Sequence, residues 1–271
     1  MTIKKQHILV IIQDLKSLNV AIKHAFKLAG IFKCEVAFTF FQNHEEQQLD
    51  ENTIELIKNA NPSDISYQIV RTDTPKRGLN NLIQQLEAIF ILTQFPVHRI
   101  DRSYKLNPIF KWLFDAKIPT ILLSRNTKLE CNYKNIIIPV NYRKECKEKM
   151  IWASYFGRFN QAVLHLIAAS EQSEDLSRKI KATLLFTKKM FEQFKFDYKI
   201  IKSQSNSFSL EKEAYELSSR LDSDLMVLML NHQEGWFSTH FGPQKLKKYL
   251  CQKESPILFI NPLKDYFLPC S

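Results

Sequence analysis

Short uninterrupted apolar runs alternate along the chain with longer stretches in which apolar residues recur every three or four positions. Ile8-Leu9-Val10-Ile11-Ile12 is the first such run. A run with no polar interruption suits a parallel strand covered on both faces. Leu18, Ile22, Ala25, Phe26 and Ala29 then mark one face of a helix. Gly30 is placed to close that helix, because glycine enters the left-handed conformation without strain. The same alternation predicts strands over 34–41, 65–70, 88–93 and 119–124, with helices over 50–60, 79–86 and 108–115.

The order returns after residue 134. Strands are predicted over 135–140, 162–169, 198–202, 225–230 and 257–260, and helices over 145–156, 174–194, 210–221 and 244–251, with Gly157 closing the first of these helices. Gly30-Ile31-Phe32 precedes one second strand and Gly157-Arg158-Phe159 the other. Ile118-Pro119-Thr120-Ile121-Leu122 matches Ser255-Pro256-Ile257-Leu258-Phe259, and Glu87 precedes Pro119 by the same interval that separates Asp224 from Pro256. Three ordered matches in like-sized halves point to duplication. The expected organisation is two tandem α/β domains, 1–126 and 133–264, joined by a polar linker at 127–132. Parallel neighbours require crossover helices, and those crossovers are right-handed.

Composition narrows the function. Hydrophobic residues make up 45% of the 271, enough for a core and against general disorder. No apolar run approaches the ~20 residues of a membrane helix. The N-terminal apolar run is too short for a secretory signal. Five cysteines without a CxxC pair fit a reducing compartment, so a cytoplasmic protein is expected. The formal net charge is +10, but it is spread over both halves without a dense Lys/Arg block. Such an excess attracts polyanions weakly and does not read a nucleic acid. Only five glycines occur, so few places let backbone wrap closely around a phosphate.

Three segments carry a family resemblance. Asn135-Ile136-Ile137-Ile138-Pro139-Val140-Asn141 resembles the opening strand of the universal stress proteins, which usually ends in Val-Asp. Asp224-Leu225-Met226-Val227-Leu228-Met229-Leu230 resembles their Asp-Leu-Ile-Val-Met-Gly segment, and Ser255 to Pro262 their Pro-Val-Leu-Val-Val closing strand. The resemblance covers nearly the whole chain in a tandem form. It implies an adenine-nucleotide alpha-hydrolase-like fold with sheet order 3-2-1-4-5 in each domain. It also implies pairing between domains through their last strands, 119–124 and 256–260, as an internal pseudo-dimer, and leaves room for a homodimer. Nucleotide-binding members carry Gly-x2-Gly-x9-Gly-Ser/Thr after the fourth strand. Here those positions fall on Met229, His232, Gly242 and Pro243, and the acidic residue of the first strand is Asn141. In the first half they fall on Leu92, Phe95, Lys105 and Leu106, with Gln13 at the strand end. The motif is degenerate. If the second domain keeps a site, it involves Pro139, Val140, Asn141, Ala168, Asn231, Gly235, Gly242 and Gln244. The expectation is a non-enzymatic stress-response protein that binds or scaffolds a protein partner. The alternative is a member that binds ATP or another adenine nucleotide in its second domain.

The remaining signals are bland. GxSxG, GxGxxG, GxxxxGK[ST] and HExxH are absent. His232 and His240, with Cys251 nearby, do not make the three or four convergent ligands of a metal site. His165 reads as a core histidine, and Glu87 and Asp224 as polar residues at helix-to-strand turns. Arg178, Lys181, Lys188 and Lys195 form one solvated helical stripe. Trp236, Phe237 and Phe241, in the 231–244 loop, could line a pocket, pack as a lid, or form a partner patch.

Overall fold

The computed structural model describes residues 5–12, 18–41, 51–61, 64–72, 78–94, 116, 118–124, 126–230 and 254–261. Contacts group them into two compact units that divide between Cys131 and Asn132. The predicted helices over 108–115 and 244–251 lie outside the described residues.

In the first unit, β1 (His7–Ile12), α1 (Leu18–Phe32), β2 (Glu35–Phe41), α2 (Glu51–Asn59), β3 (Tyr67–Thr72), α3 (Gly78–Gln85), β4 (Ala88–Gln94) and β5 (Thr120–Leu123) follow in turn. The strand order is β3-β2-β1-β4-β5. Each pairing is parallel, with Leu9 opposite Ala37 in β2 and Ile91 in β4. All of β1 is buried, which is why it reads as an unbroken apolar run. One face packs Leu9 and Ile11 against Leu82, Ile83 and Leu86. An aromatic cluster of Phe26, Phe38 and Tyr67 holds ring centroids about 6 Å apart, edge to face.

The second unit repeats the order: β6 (Asn135–Val140), α4 (Cys146–Asn160), β7 (Val163–Ala168), α5 (Glu174–Phe194), β8 (Tyr198–Lys202), α6 (Leu210–Arg220), β9 (Leu225–Met229) and β10 (Ile257–Ile260). Its strands run β8-β7-β6-β9-β10, again with parallel pairings. Both units therefore show the expected 3-2-1-4-5 order. Asp224 clamps the amino ends of β6 and β9. Its Oδ2 accepts the backbone N–H groups of Lys134 (2.6 Å) and Asn135 (2.9 Å), and its own N–H donates to the Asn135 carbonyl (2.7 Å). Among the described residues, no helix is long and apolar enough to cross a membrane.

The glycine caps are a correction. Gly30 and Gly157 lie inside α1 and α4, which continue to Phe32 and Asn160. Lys33 (φ 52°) follows α1, and Gln161 (φ 51°) is the left-handed residue that caps α4, its N–H donating to the Phe156 carbonyl. The two interior glycines have different reasons to be there. At Gly157 an added Cβ would stand 2.6 Å from the Phe196 ring, so the missing side chain admits that ring. At exposed Gly30 the nearest atom to such a Cβ is Ile65 Cδ1, 3.9 Å away. Gly30→Ala is expected to stabilise the protein by about 0.5–1 kcal/mol, because alanine restricts the unfolded chain and no packing among the described residues opposes it. Urea unfolding checks this, and an unchanged or lowered midpoint would refute it.

Candidate functional site

The strand order of the second unit reverses between β6 and β9. From β6 the chain steps outward through β7 to β8, and α6 then carries it back to β9 on the far side of β6. Right-handed crossovers place α4 and α5 on one face and α6 on the other. In such sheets ligands bind at the carboxyl ends of the strands that flank the reversal.

That place has a distinctive backbone. β6 pairs with β9 only at Ile136 and Ile137, whereas it pairs with β7 along its whole length. Pro139 supplies the reason: it has no N–H to continue a ladder. The carbonyl of Pro139 is taken instead by side chains of α4. The Lys149 ammonium donates to it, and the Cys146 thiol approaches at 3.7 Å. The Val140 carbonyl accepts from Ala169 N–H (3.0 Å), and the Ala168 carbonyl from Ser203 N–H (2.8 Å). Asn141 turns its Oδ1 inward on the chain, accepting the Arg143 N–H at 3.1 Å.

Lys149 is fully buried, an unusual state for a lysine. Glu211, from the first turn of α6, is buried too, and among the described residues its Oε2 has no hydrogen-bond partner. Burial pushes the Glu211 carboxyl up to about 7, against the opposing pull of the Lys149 and Arg143 charges. A lysine from one face of the sheet and a glutamate from the other thus act on each other at the reversal point. Two residues further on, Glu213 behaves differently. Partial desolvation raises its pKa, but bonds from Ser203, Ser205 and Gln204 outweigh that and hold it low. Ser203 Oγ donates at 2.6 Å, and the backbone N–H groups of Gln204 and Ser205 at 3.1 and 2.9 Å.

Of the expected site residues, the structure brings Pro139, Val140, Asn141 and Ala168 together at adjacent strand ends. Asn231, Gly235, Gly242 and Gln244 lie outside the described residues, as do His232, His240, Cys251 and the loop aromatics. Met229 ends β9 half-buried. In the first unit Leu92 is buried within β4, while Gln13, Phe95, Lys105 and Leu106 lie outside the described residues. His165 is buried as expected; its Nε2 is partnered by Asn135 Oδ1 at 3.4 Å, and among the described residues its Nδ1 has no partner. Arg178 and Lys188 are exposed and paired with Glu174 and Glu192. Among the described residues, no group of three His, Cys, Asp or Glu side chains is placed to hold a metal.

Sequence reasoning missed Lys149 and Glu211. Their spacing held a signal. Lys149 lies three residues after Cys146 and four before Ala153, and Glu211 lies three and seven before Ala214 and Ser218; all four of these neighbours are buried. A charged residue in register with an inward stripe marks a buried charge.

No family model matches the sequence, and no curated protein does either. Solved structures do. A putative universal stress protein from Pseudomonas aeruginosa UCBPP-PA14 is 15% identical with a TM-score of 0.63, over 96% of this chain and 94% of its own. A universal stress protein from Archaeoglobus fulgidus DSM 4304 is 11% identical with a TM-score of 0.64, over 94% and 98%. A functionally unknown protein from Pseudomonas aeruginosa PAO1 is 17% identical with a TM-score of 0.62, over 95% and 93%. The strand order and these end-to-end matches agree: this chain has the α/β fold of the universal stress proteins.

Proposed function

We propose that this chain acts by binding, without catalysis, as a cytoplasmic stress-response protein of the universal stress type, its two units serving as an internal pseudo-dimer that engages a protein partner. One observation carries the reading. The groups at the β6 end that would face a nucleotide are already engaged within the protein: Lys149 holds the Pro139 carbonyl, and Asn141 Oδ1 accepts Arg143 N–H. The residues present fit a nucleotide poorly. Asn141 offers no carboxylate to a ribose, and Met229 places a side chain where bare backbone would have to approach phosphate. Each hydrogen bond lost to a charged group costs roughly 1.5–3 kcal/mol, so two losses turn a micromolar site into a millimolar one or worse. Isothermal titration with ATP and magnesium is expected to give a Kd weaker than about 1 mM and no hydrolysis. A Kd at or below about 10 μM would overturn the reading in favour of a nucleotide-binding member.

A further inference from the structure

We propose that Glu211 and Lys149 form a proton-operated latch on the gap between β6 and β9, closed when Glu211 is a neutral acid and released when its proton passes to solvent. The geometry has three parts. The β6–β9 ladder stops after Ile137, so the carboxyl halves of the two strands are not bonded to each other. The Lys149 ammonium, fully buried, replaces the missing ladder donor at the Pro139 carbonyl. Glu211, buried at the start of α6, which packs on β6, carries an oxygen that no donor reaches among the described residues, and the Lys149 charge acts on it. A neutral acid tolerates that environment. A carboxylate does not, because a buried anion without a donor is strongly disfavoured.

Loss of the proton therefore demands a donor. Lys149 is the cation that acts most strongly on Glu211, with Arg143 next. Among the described residues, the strands on which α6 packs, β6 and β7, carry no lysine or arginine. β6 and β9 carry no ionisable residue. β7 carries only His165, which bonds Asn135 at the first residue of β6. On α6 itself, Lys212 faces Glu216 at 3.9 Å, and Glu213 is bound to the 203–205 turn. When Lys149 moves to the carboxylate, the Pro139 carbonyl loses its ammonium donor and is held to α4 by the Cys146 thiol alone. The burial that raises the Glu211 pKa to about 7 sets the transition near neutral pH.

The test is a 13C NMR titration of the labelled full chain from pH 5 to 9, following the Glu211 side-chain carboxyl and the Pro139 carbonyl. Both signals are expected to move with one shared midpoint near 7. In Glu211→Gln the Pro139 signal should be flat, which separates the latch from histidines that titrate in the same range. In Lys149→Met the Pro139 response should vanish while the Glu211 midpoint rises. A Glu211 midpoint in the ordinary carboxylate range, or a Pro139 carbonyl that stays still while Glu211 titrates, overturns the proposal. The wild-type titration alone decides between these outcomes even if a variant fails to fold.

Discussion

Glu211→Gln is expected to raise the unfolding free energy by about 3 kcal/mol above pH 8 and to leave it nearly unchanged at pH 4. The folded carboxyl lies at about 7, against 4.5 for the free side chain, and each pH unit of difference corresponds to about 1.4 kcal/mol. The sign follows from proton binding. Between the two values the folded state holds the proton more tightly than the unfolded state does. The stabilising contribution of the neutral acid is complete below 4.5 and is lost as pH rises through 7. Glutamine keeps the shape of the neutral acid and cannot ionise, so the wild type should weaken over that window while the variant does not. Urea unfolding at pH 4, 6 and 8.5 measures it. Parallel stability curves for the two proteins would refute the assignment of Glu211 as a buried acid.

Gly157→Ala is expected to destabilise the protein by about 1–2 kcal/mol, against the general preference of helices for alanine. The new Cβ would lie 2.6 Å from Cγ and Cδ2 of Phe196, inside any real carbon contact. Overpacking of this kind costs about 1–3 kcal/mol, and the gain in helix propensity returns up to about 1 kcal/mol. Phe196 is held in place by Phe191, centroid to centroid 4.7 Å, and by the left-handed turn at Lys195 (φ 54°) that aims it at α4. In a Phe196→Ala background the same substitution should be neutral or stabilising. A double-mutant cycle reads this reversal directly, and equal effects in both backgrounds would count against the contact.

These two residues also show what the sequence could and could not convey. Strands such as Asn135–Val140 and Ile257–Ile260 were legible to the residue, because burial on both faces demands unbroken apolar runs. So was Glu174–Phe194, whose apolar residues keep helical spacing over five turns. Helix ends were not. Gly30 and Gly157 look like caps, but the left-handed turns fall to Lys33 and Gln161, residue types that give no such signal. Gly157 answers to Phe196, a partner remote in sequence, and no local pattern encodes that. The strand-end residues Pro139, Val140, Asn141 and Ala168 could be placed because strand ends are local. Lys149 and Glu211 could not be paired, since a helix on each face of the sheet delivers them to one point. Only the assembled crossovers let the charge of one act on the other.

The Asp224 clamp bears on the order in which the second unit assembles. Its bonds to Lys134 and Asn135 join residues 90 and 89 positions apart. The loop-closure entropy of so long a connection opposes early formation. The β6–α4–β7 and β7–α5–β8 steps are far shorter, and during synthesis they emerge first. A growing chain therefore holds β6 with one flank bare until β9 arrives. During that interval the apolar edge at Ile136 and Ile137 is open to pairing with a foreign strand, and Asp224 ends the exposure by fastening β9 in register just before its first residue.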